Sequence, residues 1–246
     1  MNTLLIALAV FSLASLLNIF YITVLYHRGL AHGSVKLSRA STWLIAKTGI
    51  WVTGIDPKAW VCMHRAHHMY SDTEKDPHSP VRFGVLGVAL GQLRSYESTL
   101  IGLIKKDKQY TQLVSDIDFG VSRLNRKKLW LVPYFLHLAI SVALGVATGA
   151  WVLGVAYYFG IMSHPLHGWM VNSLSHKYGY RNFETDDHST NNTFVSLFVF
   201  GEGYQNNHHA FPKSANFAKT SGEIDFGYWL CIGASKVGLL ELGKAA

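Results

Sequence analysis

Charge is scarce in this sequence. Asp, Glu, Lys and Arg make up 15% of its 246 residues, against about a quarter in an ordinary soluble domain. The shortage points to a membrane protein. Cysteine is scarcer: Cys62 and Cys231 are the only two, far apart and without CxxC spacing. Nothing calls for a disulfide or a zinc ribbon, and metal ligands must then be histidines. No long basic run interleaved with aromatics is present, so the formal net charge of +7 does not suggest a nucleic-acid face. It matches the excess of Lys and Arg expected in short cytoplasmic loops. No long-period repeat, low-complexity tract or second domain breaks the chain, and residues 1–246 are expected to form one domain.

Two stretches have no Asp, Glu, Lys or Arg at all. The first, Thr3 to Tyr26, is long enough for one crossing, which needs about 20 apolar residues. It lacks the basic start and the small-residue cleavage site of a signal peptide. Arg28 follows it, which puts His27 to Arg39 in the cytoplasm and the N-terminus outside. The second, Leu129 to His176, covers 48 residues, enough for two crossings that turn at Thr148-Gly149-Ala150. Between them, Ala40 to Ile55 is short and carries Lys47, so it is expected to lie in the interface. The basic segment Arg94 to Lys128 is expected at the cytoplasmic surface, where it can meet lipid or an acidic electron carrier. Phe226 to Leu242 is expected to be an amphipathic helix over the site. The expected fold is all-α: a bundle of about three transmembrane helices plus interfacial helices, with a cytoplasmic helical cap.

What the chain has in abundance is clustered histidine. His64, His67 and His68 differ by three and four, so a helix puts their imidazoles on one face. Gln205, His208 and His209 repeat that spacing with glutamine first. His27 and His32 close the first apolar stretch, and Asn172 and His176 share one side at the end of the second. Five residues on an α-helix are about 140° out of phase. His27 and His32 therefore meet only if the helix ends, as Gly29 and Gly33 permit, or they serve different ions. Neutral imidazole suits iron, zinc, copper and nickel, and eight histidines exceed what one ion can use. On the expected topology every cluster reaches the cytoplasmic face, across some 180 residues of sequence. His137, inside a span, is expected to be a neutral, hydrogen-bonded packing residue, and His167 falls about half a turn away from His176.

The segments HRGLAH (27–32), HRAHHMYSDTEKDPHSP (64–80), VNSLSHKYGYR (171–181) and GEGYQNNHHAFP (201–212) resemble the membrane acyl desaturases, specifically the stearoyl-CoA Δ9 type. The resemblance runs from about residue 20 to 215. It implies a di-iron centre that uses O₂ and two electrons to remove two hydrogens from an acyl chain lying in a kinked tunnel. By matching position it implies that His27, His32, His64, His67, His68, His176, His208 and His209 bind metal and carry catalysis. Asn172 would reach one metal through water, and the family's ninth histidine falls on Gln205. Zinc is expected to substitute for the two iron ions in overexpressed protein. The implied partners are O₂, membrane lipid, a long acyl chain on CoA, carrier protein or lipid, and an electron donor such as ferredoxin or a cytochrome b-type protein. The family usually has one more transmembrane helix ahead of HRxxxH. A bacterial inner membrane is favoured over endoplasmic reticulum, with the site on the cytoplasmic face.

An alkyl C–H bond has no acidity for a general base to exploit, so histidine-held metal in an apolar surround suits this chemistry. Asp72, Asp76, Asp186 and Glu202 are candidates to hold imidazole N–H groups. A membrane hydroxylase or acetylenase would use the same clusters, and Gln205 admits an inactive metal-binding relative. A metal transporter or sensor would instead need ligands near the membrane midplane, where only His137 is placed.

Overall fold

A computed structural model describes residues 2–243. Helix α1 spans Thr3–Ala31, and the Asn2 side chain accepts the Leu4 amide at its start. It is α-helical over Thr3–Ile19 and π-helical over Phe20–Ala31. Helices α5 (Val132–Thr148) and α6 (Trp151–Ile161) form a hairpin whose corner is Gly149, with φ 66°. Glycines let these helices approach closely, as packing between apolar helices requires. A Cβ at Gly160 would stand 2.5 Å from the Phe11 carbonyl of α1, and one at Gly154 would collide with the Ser141 carbonyl of α5. Large apolar side chains such as Leu4, Leu13, Phe135 and Phe159 remain exposed on these three helices, as suits a surface that faces lipid.

Helix α2 (Arg39–Thr53) is N-capped by Ser38 and ends at Gly54, which is left-handed at φ 75°. Asp56 then caps α3 (Pro57–Tyr70), accepting the amides of Lys58 and Ala59, and Pro57 sits in the first turn where a missing N–H costs nothing. Helix α4 (Pro80–Ile104) bends at Gly84, whose φ is 66°. Short helical turns at Lys108–Thr111 and Arg123–Arg126 lead back to the hairpin. Beyond α6 the chain continues as α7 (His164–Trp169), which widens into a π-turn over Met170–Leu174. Then come α8 (Thr193–Phe198), α9 (Gln205–Ala210) and α10 (Phe226–Lys236).

Two expectations are corrected, both about where a helix ends. The second limb of the hairpin is not one helix: it ends at Ile161, and the chain restarts at His164 with Pro165 in the new first turn, where no ring clash arises. Among the described residues, one helix, Thr3–Ala31, is long and apolar enough to cross a membrane, while α5 and α6 are shorter apolar helices. The segment Phe226 to Leu242 is not one helix either. Its helix stops before Gly238, at φ 75°, and Leu240–Leu242 forms a strand, β2, antiparallel to β1 (Val35–Leu37). That two-stranded ribbon fastens the end of the chain beside the exit of α1. The chain is mostly helical, as expected.

Candidate metal centre

The site forms where α1, α3, α7 and α9 converge, and two arginines hold that convergence. Arg65 of α3 donates to the carbonyls of Leu30 and Ala31 at 2.7 and 2.9 Å, satisfying acceptors that the end of α1 leaves free. Arg28 is fully buried and binds both Glu202 and Asp225, stacked over Phe217 at 3.8 Å. Removing one partner of such a buried pair costs about 3–5 kcal/mol, so Arg28 fixes the loops of residues 202 and 225 against α1. Both arginines directly follow a histidine, a signal that the sequence reading passed over.

Five imidazoles meet in one group. The ligating atoms of His27, His32, His64, His68 and His208 all lie within 4.8 Å of one another. His27 Nε2 is 3.0 Å from His208 Nε2, which is 3.0 Å from His68 Nε2, and His32 Nε2 is 2.7 Å from His64 Nε2. His27 and His32 belong to the same group with ring centroids 4.9 Å apart, so they do not serve separate places. The helix does not need to end between them. In the π-wound turn each residue pairs with the fifth along, and the His32 amide donates to the His27 carbonyl at 3.1 Å, which puts both rings on one side. His32 and His64 touch although α2 lies between them in the chain.

His67, His176 and His209 form a second group by the same measure. The α3 cluster is therefore shared: His64 and His68 join the first group and His67 the second, while His208 and His209 of α9 divide likewise. The groups are adjacent, with the His68 and His209 rings 4.4 Å apart.

Carboxylates hold the far sides of these rings. Asp76 accepts from His67 Nδ1 at 2.9 Å, Asp72 from His176 Nδ1 at 3.0 Å, and Glu202 from His27 Nδ1 at 2.6 Å. The fourth carboxylate is Asp187, against His209 Nδ1, and not Asp186. Adjacent acids on an irregular loop give no periodicity from which to choose between them. Burial alone would raise Glu202, but His27 and Arg28 hold its carboxyl well below the usual range. Burial also opposes the charge on Asp72, yet the hydrogen bond from His176 keeps its carboxyl depressed. Burial, and then the neighbouring imidazoles, push His64, His68 and His208 well below the ordinary histidine value, and His209 falls to about 4. These rings are neutral at pH 7, with lone pairs available.

These residues fit a metal. His67 Nε2, His176 Nε2 and His209 Nε2 are buried without any hydrogen-bond partner, and each ring's other nitrogen gives its proton to a carboxylate. Unpaired acceptors that converge inside a protein are costly unless a cation satisfies them. In the first group, several Nε2 atoms approach within hydrogen-bond distance of one another, which a single proton per pair cannot reconcile for five rings at once.

The remaining expected residues lie at the border. Gln205 is buried, and its Nε2 donates to the Glu202 carbonyl at 2.6 Å. Asn172 donates to Gln92 at 3.4 Å. Both line a cavity of about 960 Å³ together with His27 and His64. His188 is a mostly exposed loop residue whose backbone amide binds Asp72. His137 is a packing residue, bonded to Tyr157 and to the Trp51 carbonyl at 2.7 Å each. His78 was overlooked: it is buried, with its ring 4.5 Å from that of His67 and both nitrogens unpartnered.

The fold and site define a helical protein with a carboxylate-buttressed histidine centre, able to hold metal, at one wall of a largely apolar cavity. The fatty acid desaturase family model matches residues 2–217, and the chain belongs to that family. Icosanoyl-CoA 5-desaturase of Limnanthes douglasii is 33% identical over 224 residues, covering 89% of this chain and 59% of the relative. Hex-5-enoyl-(acyl-carrier protein) acetylenase of Moorena producens is 32% identical over 238 residues, 91% of this chain and 72% of its own length. Delta-9 acyl-lipid desaturase 1 of Arabidopsis thaliana is 33% identical over 221 residues, 85% and 66%. The chain thus spans 59 to 72% of the length of these relatives.

Proposed function

We propose that this chain is an O₂-dependent desaturase that introduces a cis double bond, at Δ9, into a long acyl chain carried as a thioester. The observation that carries the reading is the opening of the first imidazole group, through His27 and His64, onto a largely apolar cavity, with the second group directly beside the first. His27, His32, His64, His68 and His208 would hold one iron, and His67, His176 and His209 the other, with Gln205 and Asn172 beside them. Bound iron, given O₂ and two electrons from an external donor, supplies the oxidising power that an unactivated methylene pair demands.

The chain's own residues supply the rest. Asp72, Asp76, Asp187 and Glu202 keep protons on the Nδ1 atoms, which fixes each tautomer and presents Nε2. Trp60 stacks on His64 with centroids 5.0 Å apart and, with Ile22 and Val171, contributes to a cavity wall that excludes water. Arg94, Lys105, Arg126 and Lys128 also line this cavity, a basic rim that suits the phosphates of an acyl-CoA or a carrier-protein arm. The same basic surface favours an acidic electron donor. In the membrane, α1, α5 and α6 would be three spans with the histidines on the cytoplasmic side, so a reporter after Lys128 should read cytoplasm.

The test is lipid profiling of an unsaturated-fatty-acid auxotroph that expresses the chain. Growth with cis-Δ9 monounsaturated acyl chains supports the reading. Hydroxylated or acetylenic products would replace it with the related chemistry, and no new product at all would remove it.

A further inference from the structure

The cavity does not stop at the histidine groups, and its far end is polar. Asn18 is fully buried there: its Nδ2 donates to the Ile161 carbonyl at 2.8 Å, while its Oδ1 has no partner. His164 and His167 line the same cavity, each with a buried, unpartnered Nδ1. They are three residues apart, on one face of α7. Ser15 lies 3.4 Å from Ser163, which brings this part of α1 beside the start of α7. Asn18 precedes His27 by nine residues on α1, and His167 precedes His176 by nine on the α7 segment. At roughly 1.5 Å per α-helical residue and less in the π-wound turns, nine residues set each at most about 13 Å along its helix from the metal-site histidine that follows it.

An unsubstituted acyl tail lying here would bury one amide oxygen and two imidazole nitrogens with nothing to bond. We propose that the deep end of the cavity recognises a hydroxyl group near the ω-end of the acyl substrate. A hydroxyl matches the set in both directions, donating to Asn18 Oδ1 and accepting from an imidazole N–H of His164 or His167. A carboxylate matches poorly, because it cannot donate to the Asn18 oxygen. The inference rests on the acyl reading of the cavity and adds the class of chain that the cavity selects. A site built to hydrogen-bond a substrate hydroxyl discriminates strongly against the analogue that lacks it.

The experiment uses the iron-loaded full chain in lipid nanodiscs with matched ω-hydroxy and unsubstituted acyl-CoA pairs, from octanoyl to stearoyl. Binding and kcat/KM are measured for the natural sequence, Asn18→Leu and His167→Leu. The expected result is a preference for the hydroxylated member of at least about tenfold at the best length, lost in both variants. His167→Leu keeps the test valid should Asn18→Leu fail to fold, since Asn18 also holds the end of α6. Equal or better use of the unsubstituted chains overturns the proposal and makes the deep end a water site. Binding of neither series removes the acyl reading itself, and this inference with it.

Discussion

Asp76 grips His67 from nine residues further along the chain, with its two oxygens 2.9 and 3.0 Å from Nδ1. The same carboxylate accepts the backbone amides of Asp72 and His78, so the loop after α3 is folded around it. Replacing Asp76 by Asn keeps the volume but weakens the hold on the ring. We expect metal affinity to fall about 10- to 100-fold, measured by chelator competition. Unchanged affinity would mean that the carboxylate only shapes the loop.

Asp187, and not its neighbour Asp186, meets His209. Asp187→Asn should therefore lower the metal content of purified protein, and Asp186→Asn should leave it alone. An equal loss in both variants would point to a general effect on the loop.

The metal-free protein should lose stability as the pH falls below about 6.5, the ordinary histidine value. Burial first, then neighbouring imidazoles, depress His64, His68 and His208, with His209 at about 4. Below pH 6.5 the unfolded chain takes up protons that these folded rings refuse, so the balance shifts toward unfolding. His176 acts the other way: burial opposes its charge, but Asp72 leaves its pKa raised. His32 and His78 are lowered by burial as well, so one raised ring is set against six lowered ones in and beside the site. A thermal melting series from pH 7.5 to 5 checks the sign, and a Tm that stays flat or rises on acidification contradicts it.

Gln205 occupies the place where the resemblance implies a ninth histidine. Its amide reaches the Glu202 carbonyl, and Glu202 holds His27, so it borders the first group. Gln205→His should raise the iron retained per chain. Gln205→Ala should lower iron and desaturated product together. Full iron and full product in Gln205→Ala would leave Gln205 without a role.

Much of this arrangement was legible in the sequence because it follows short-range periodicity. The i, i+3, i+4 spacing in α3 and α9 brings their imidazoles to one place. What the spacing concealed was longer in range or depended on a change in helical winding. An α-helical count sets His27 and His32 apart, and only the π-wound end of α1 brings them together. The division of each His-His pair between two groups depends on the angle at which helices meet. Arg65, Asp187 and the ribbon of Val35–Leu37 with Leu240–Leu242 act on partners between 22 and about 200 residues away in sequence, where no local pattern reports them.

The central claim is that the two imidazole groups each hold an iron ion. It is tested most directly by metal analysis of iron-supplemented, purified protein with His67→Ala, which opens one group, and His208→Ala, which opens the other. The account predicts close to two metal ions per chain in the natural sequence, iron with zinc as its substitute, and a loss of about half or more in each variant. A full metal complement retained in both variants would contradict it.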